Sequence, residues 1–168
     1  MKPVLLLLPG MLNDARVWDD VAALIASEVE LRVAGLFAQD SIADMARDSW
    51  AALADVPDHT PLLLAGFSMG GYVAMEMLAQ APRAVQGLAL VDTNTRTETA
   101  ESAVLREKTI AAMQSRFPAV VEGILGFSTD PANQADAGLM ARMREMLLAV
   151  GAEVAIRQNR AIAARADH

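Results

Sequence analysis

Residues Leu62 to Gly71 read Leu-Leu-Leu-Ala-Gly-Phe-Ser-Met-Gly-Gly, and no other stretch restricts the fold as strongly. Leu62–Phe67 is an unbroken apolar run of strand length, the pattern of a strand buried on both faces. Met69–Gln80 predicts a helix, closed by Pro82. Only Ser68 lies between them, so the chain must reverse so sharply that the serine takes a strained backbone conformation with its hydroxyl projecting outward. Side chains at positions 66 and 70 would then collide as strand and helix approach, and both positions are glycine. Gly71 gives the helix further room to lie close to the sheet. The same residues also admit a Gly-rich turn that only packs, or a loop that cradles an anion. Neither G-x-x-x-x-G-K-[ST] nor G-x-G-x-x-G occurs, which weakens a nucleotide reading.

The segments around this turn repeat its alternation. Val4–Leu8 is another wholly apolar run, ended by Pro9-Gly10. Asp14 is placed to cap a helix with an apolar face of Val17, Trp18, Val21, Leu24 and Ile25. Leu31–Leu36 predicts a weaker strand near an edge because of Arg32, and Ser41-Ile42-Ala43-Asp44 has the form of a capping box opening a helix to Ala54. Pro57–Pro61 is a turn, and Gly87–Val91 is a fourth strand. Strands joined by helix-length links must be parallel, and right-handed crossovers put helices on both faces. The expected fold is α/β, a doubly wound and mainly parallel sheet of about four strands. From Thr97 the strands stop. Thr97–Ser115, Pro118–Leu125, Ala135–Val150 and Ala152–Arg165 read as helices, separated by Phe117-Pro118, the Gly126–Asn133 loop and Gly151. The expected organisation is therefore a core over 1–96 and a helical cap with a return helix over 97–168.

Composition narrows the chemistry. The 168 residues carry 14 Lys and Arg against 21 Asp and Glu, a net charge of −7, which leaves no basic surface for nucleic acid. There is no cysteine and there are only two histidines, so disulfides, a thiol nucleophile and a multi-histidine metal site are not expected. The apolar start is too short for a signal peptide, and no run approaches the ~20 residues of a membrane span. The reading is a cytoplasmic protein without metal, cofactor or membrane partner.

Ser68 is the candidate nucleophile. A tetrahedral intermediate on it would need two N–H donors for its oxyanion, and the plan takes one from the residue after the serine, Met69. The second would come from the loop Pro9-Gly10-Met11-Leu12-Asn13, where Gly10 lets the backbone come near the serine and Met11 N–H is the candidate donor. The helix that follows Ser68 adds its N-terminal dipole.

The segments LLLLPGMLND, GFSMGG and LALVDTNTR and the closing RQNRAIAARADH together resemble the first two-thirds of an α/β-hydrolase fold protein, nearest the compact bacterial esterase, enol-lactonase and haloperoxidase-like branch. The resemblance covers essentially the whole chain, with Pro9-Gly10 where the family more often has His-Gly. It implies a general base from a histidine after the last strand and an acid after the strand before, both beyond His168. It also implies that the last strands of the fold are missing here. His59 sits before the strand that carries Ser68 at its far end, roughly 15–20 Å away at ~3.3 Å per residue, and reads as a surface turn residue. His168 follows a helix returning to the bottom edge of the sheet and is not expected to serve either. Asp92 ends the neighbouring strand, where some members place the triad acid. The competing reading is a turn carboxylate bonded to the N–H groups of Thr93–Thr95. A ligand pocket would be lined by Gly10, Leu12, Phe67, Met140 and Met143. The methionine stripe of the last region reads first as cap helices packing on one another and the sheet, and only then as a loosely shaped apolar pocket.

The expected activity is hydrolysis of a small, fairly apolar ester, thioester or lactone by a serine nucleophile. The alternative is a non-catalytic remnant or small-ligand binding module. A strand Gly87–Val91 left without further neighbours would expose an apolar edge, so the expectation is either a fragment or a homodimer through this edge.

Overall fold

The computed structural model describes residues 2–167. Apolar runs without polar interruption become three of the four strands of the reading. These are β1 (Val4–Leu8), β3 (Leu62–Phe67) and β4 (Gly87–Val91), each with the predicted bounds. β2 is shorter than expected, Glu30–Val33 rather than Leu31–Leu36. Its Arg32 forks to Glu30 and Asp55 at the rim, as suits an edge strand. All pairings are parallel, in the order β2-β1-β3-β4. β1 and β3 pair in register from Val4–Leu62 to Leu8–Gly66, which sets the loop after β1 beside the turn after β3.

Helices α2 (Ile42–Ala51) and α3 (Met69–Gln80) cover one face of the sheet. Met45, Ala46, Val73, Ala74 and Met77 interlock there with Val4, Leu6, Leu62 and Leu64. α2 starts as predicted, with Ser41 Oγ accepting from Asp44 N at 3.0 Å, and it ends at Ala51, three residues early.

The other face departs from the expectation. Asp14 does cap, but what it caps is a 3₁₀ turn (Ala15–Trp18) that runs into a short α1 (Asp19–Ile25). Trp18 is buried against Leu7 and Ala65, whereas Val21 is exposed and Leu24 is 82% exposed. Of the expected apolar face, Trp18 is buried and Val17 packs partly buried beside it, while Val21 and Leu24 are left to solvent.

The cap consists of α4 (Ala100–Ser128), α5 (Ala137–Val150) and α6 (Ala152–Ala163). The two helices expected over 97–125 are one element bent at Arg116 (φ −150°, ψ 48°), with Pro118 just beyond the bend. A proline starts a helix readily but cannot continue one, so the break falls before it. Its second arm runs through Gly126 to Ser128, where a loop had been expected. Leu12 from the sheet's loop region is buried among Met113, Val121, Leu125, Met146, Leu147 and Ala155 of the cap, while Ala161 and Ile162 of α6 join the core under α2. The sheet core and the cap core are joined by Met11, which packs partly buried against both.

Candidate active site

Ser68 is the N-cap of α3 with φ 51° and ψ −113°, a backbone region that side chains rarely enter. Such conformations cost about 1–3 kcal/mol and persist only where neighbours over-determine them. Here they do. Ser68 N–H donates to Val91 O at 2.9 Å, and Ser68 O accepts from Gly71 N at 2.9 Å and from Thr93 Oγ1 at 2.8 Å. The hydroxyl makes no capping bond to the helix, so it stays available.

The glycines explain how strand and helix come this close. A Cβ on Gly66 would overlap the Gly70 carbonyl, and one on Gly70 would overlap the Leu8 carbonyl at the end of β1. Gly71 abuts the Thr93 side chain, where a Cβ would sit 2.6 Å from Oγ1. The turn at Ser68 is therefore pressed onto the ends of both β1 and β4.

Pro9–Asn13 is thereby held beside Ser68. Asn13 N–H donates to Gly10 O (3.2 Å), closing a tight turn, and Asn13 Nδ2 donates to Met11 O (2.7 Å). Leu12 has φ 62° and its N–H donates to Gln158 Oε1 at 2.9 Å. Met11 N–H has no such partner among the described residues. Met69 N–H, at the first helical position, has no acceptor within its own helix. The Met69 side chain is fully buried in the sheet core, and Met11 packs between sheet core and cap core.

The remaining candidates fall elsewhere. Gly10 lies against Phe67, so close that a Cβ would stand 2.9 Å from Phe67 Cδ1. Phe67 packs with Leu7, Trp18 and Ala65 under that loop. Leu12, Met140 and Met143 belong to the apolar core of the cap, with Thr129 Oγ1 3.8 Å from Met143 Sδ. Met140 and Met143 are partly buried against that core, which accords with the packing reading of the methionine stripe. Asp92 has φ 45° and an exposed side chain. Its carboxylate makes none of the bonds to Thr93–Thr95 that a turn role requires; Asn94 Oδ1 accepts instead from Arg96 N at 2.9 Å. His59 is exposed in the turn before β3, at the opposite end of the strand from Ser68. His168 lies outside the described residues. Sequence reasoning passed over Thr93 and Gln158. The signal for Gln158 was a polar residue at helical spacing with Ala155, Ala161 and Ile162, the buried stripe of α6.

An ion cluster ties the loop after β4 to the cap. Glu98 accepts from Arg106 Nη2 at 2.8 Å and pairs with Arg165 at 3.4 Å, and Arg165 also stacks 4.4 Å over Tyr72. Burial pushes the Glu98 carboxyl up, but hydrogen bonds from Ser102, Arg106 and Arg165 outweigh it and hold the group below its ordinary value. A cleft of about 570 Å³, lined by Lys2, Glu30, Arg32 and Asp55, opens at the other end of the sheet. Its arginine is already held by both acids. No group of three or more His, Asp or Glu among the described residues could hold a metal, and no described helix is long and apolar enough to cross a membrane.

A family model described as a thioesterase domain matches residues 15–165, from the turn after the candidate oxyanion loop to the end of the cap. The chain belongs to the thioesterase domain family. This thioesterase domain has the α/β-hydrolase fold that its motifs resembled. It superposes on a thermophilic esterase from Thermogutta terrifontis with a TM-score of 0.84 at 22% identity, covering 99% of this chain and 65% of that one. A hydrolase from Pseudomonas aeruginosa gives 0.82 at 21% identity, with coverage of 98% and 65%. The enol-lactonase from Burkholderia xenovorans gives 0.78 at 16% identity, with coverage of 98% and 66%. At these identities the likeness is one of fold. The chain spans about 65% of the length of these proteins. No curated protein matches the sequence.

Proposed function

We propose that this thioesterase domain supplies the nucleophile and oxyanion half of a serine hydrolase acting on small, fairly apolar esters, thioesters or lactones. The observation that carries the reading is Ser68 itself: a non-glycine residue at φ 51°, ψ −113°, bridging β3 and α3 with its hydroxyl left out of the helix cap. Ser68 Oγ would attack the acyl carbon. The negative charge that develops on the carbonyl oxygen would be met by N–H groups of Met69 and Met11, aided by the N-terminus of α3. The serine proton needs a base, and among the described residues no histidine lies at this end of the sheet. In this reading the base and its orienting acid come from a further segment or a second chain, with Asp92 at the end of β4 a less favoured acid. The esterase and enol-lactonase among the similar structures support carboxylic ester or lactone chemistry, and the family match supports a thioester.

A fluorophosphonate probe, with imidazole supplied in solution as the base, tests this. Mass spectrometry is expected to find the label on Ser68 and none on Ser68→Ala. Absence of label in both would overturn the reading. That no histidine among the described residues lies beside Ser68 also supports a second reading, a binding module without turnover. Ester hydrolysis by the chain alone that vanishes in Ser68→Ala would refute it, since loss of a triad base costs several orders of magnitude in rate.

A further inference from the structure

Gln158 is fully buried in α6. An amide in such a place is costly unless both its ends are paired, and both are. Oε1 accepts from Leu12 N–H at 2.9 Å and Nε2 donates to Leu36 O at 2.7 Å. Neither leucine lies in a helix or strand, so one side chain from the cap satisfies the buried backbone of two loops.

Leu12 is the unusual partner. Its φ of 62° is left-handed, where a leucine is disfavoured by about 1–2 kcal/mol. Two things oppose that cost. The isobutyl group is buried among Met113, Val121 and Leu125, and the N–H is fixed on Gln158. Leu12 N–H is consumed by Gln158 and Asn13 N–H by Gly10 O, whereas Met11 N–H has no partner among the described residues.

We propose that Gln158 is a positioning residue: it holds the Pro9–Asn13 loop in the conformation that presents Met11 N–H to an oxyanion formed on Ser68. This rests on the serine-hydrolase reading above. Gln158 touches no substrate and acts through Leu12, and it couples the cap to the loop.

An alkyl boronic acid tests the inference in the chain as it stands. Ser68 Oγ adds to boron, its proton passes to solvent, and the adduct is a tetrahedral anion with an oxygen in the oxyanion position. The carboxamide bearing the same alkyl group forms no adduct and reports pocket binding alone. The wild-type protein is expected to bind the boronate and Ser68→Ala not to. Gln158→Met, similar in volume but without an acceptor, is expected to weaken boronate binding at least tenfold, in line with the weight of oxyanion donors, and to change carboxamide binding less than twofold. The Met11 amide proton shift that accompanies boronate binding should also be lost. Gln158→Glu keeps an acceptor for Leu12 and regains a donor to Leu36 when protonated. Its boronate affinity relative to wild type should therefore recover as pH falls, which keeps the test open if Gln158→Met does not fold. Ser68-dependent boronate binding that neither Gln158 variant alters would overturn the role of Gln158 and leave the nucleophile standing. No Ser68-dependent binding in the wild type would overturn the serine reading, and this inference with it.

Discussion

At Ser68 the chain accepts a local conformational cost that its neighbours make tolerable. Val91 and Thr93 bond the backbone of the strained residue, and Gly66 and Gly70 let the two elements touch. Each contact predicts its own loss. Gly70→Ala places a methyl on the Leu8 carbonyl, where backbone on both sides cannot give way. It is expected to cost about 3 kcal/mol in urea unfolding, the upper range for overpacking. Thr93→Val removes only one hydrogen bond to Ser68 O and should cost about 1 kcal/mol. If Gly70→Ala proved as mild as Thr93→Val, the close approach of α3 to β1 would not be what shapes the turn. The glycine spacing was legible in the sequence because the steric demand is local. Thr93 was not, because its role depends on how β4 lies against β3.

At the scale of elements, helices whose boundaries carry chemical punctuation were legible, and those decided by contacts were not. Ser41 and Pro82 mark their ends in the sequence, whereas the apolar stripe of α1 does not say that Leu24 will face solvent. Within α4, Gly123 has nothing within 4 Å of where a Cβ would stand. Gly123→Ala should therefore stabilise the protein by about 1 kcal/mol through helix propensity alone. The loop after β4 is joined to α4 and α6 by Glu98, whose pairing gives a pH signature. Its folded-state carboxyl lies below the ordinary 4.5, so the stabilisation is present above that value and is lost as pH falls through the folded one. Thermal melting is expected to drop below about pH 4.5, and less steeply in Glu98→Gln. Equal slopes for the two proteins would show that Glu98 is not a source of acid lability. Surface acids paired to arginine, such as Asp55 and Glu122, add to the total but are screened by solvent.

Over the whole molecule, the four strands have a parallel order with β4 at one edge, and Leu88, Leu90 and Val91 are 41%, 42% and 44% exposed. A long apolar edge with unpaired backbone groups is a template for pairing. Self-association through β4 is therefore expected, rising with concentration in sedimentation and suppressed by Leu90→Lys. A monomer at all concentrations would count against it. The cap shows the opposite balance. Its methionines, which the sequence reads first as packing and only secondarily as a ligand pocket, pack with Leu12, Met113 and Met146 buried and Met140 and Met143 partly buried.

The sequence by itself determined the parallel sheet, the strand–serine–helix reversal and the identity of the candidate nucleophile, because these follow from apolar runs and from the volume of side chains a few residues apart. Only the tertiary structure decided that Leu12 is buried among residues of the cap, that α1 leaves most of its apolar face to solvent, and that Gln158, 146 positions from Leu12, accepts its N–H. Those outcomes depend on which distant groups arrive to bury a surface or accept a hydrogen bond, and no local pattern of residues encodes that arrival.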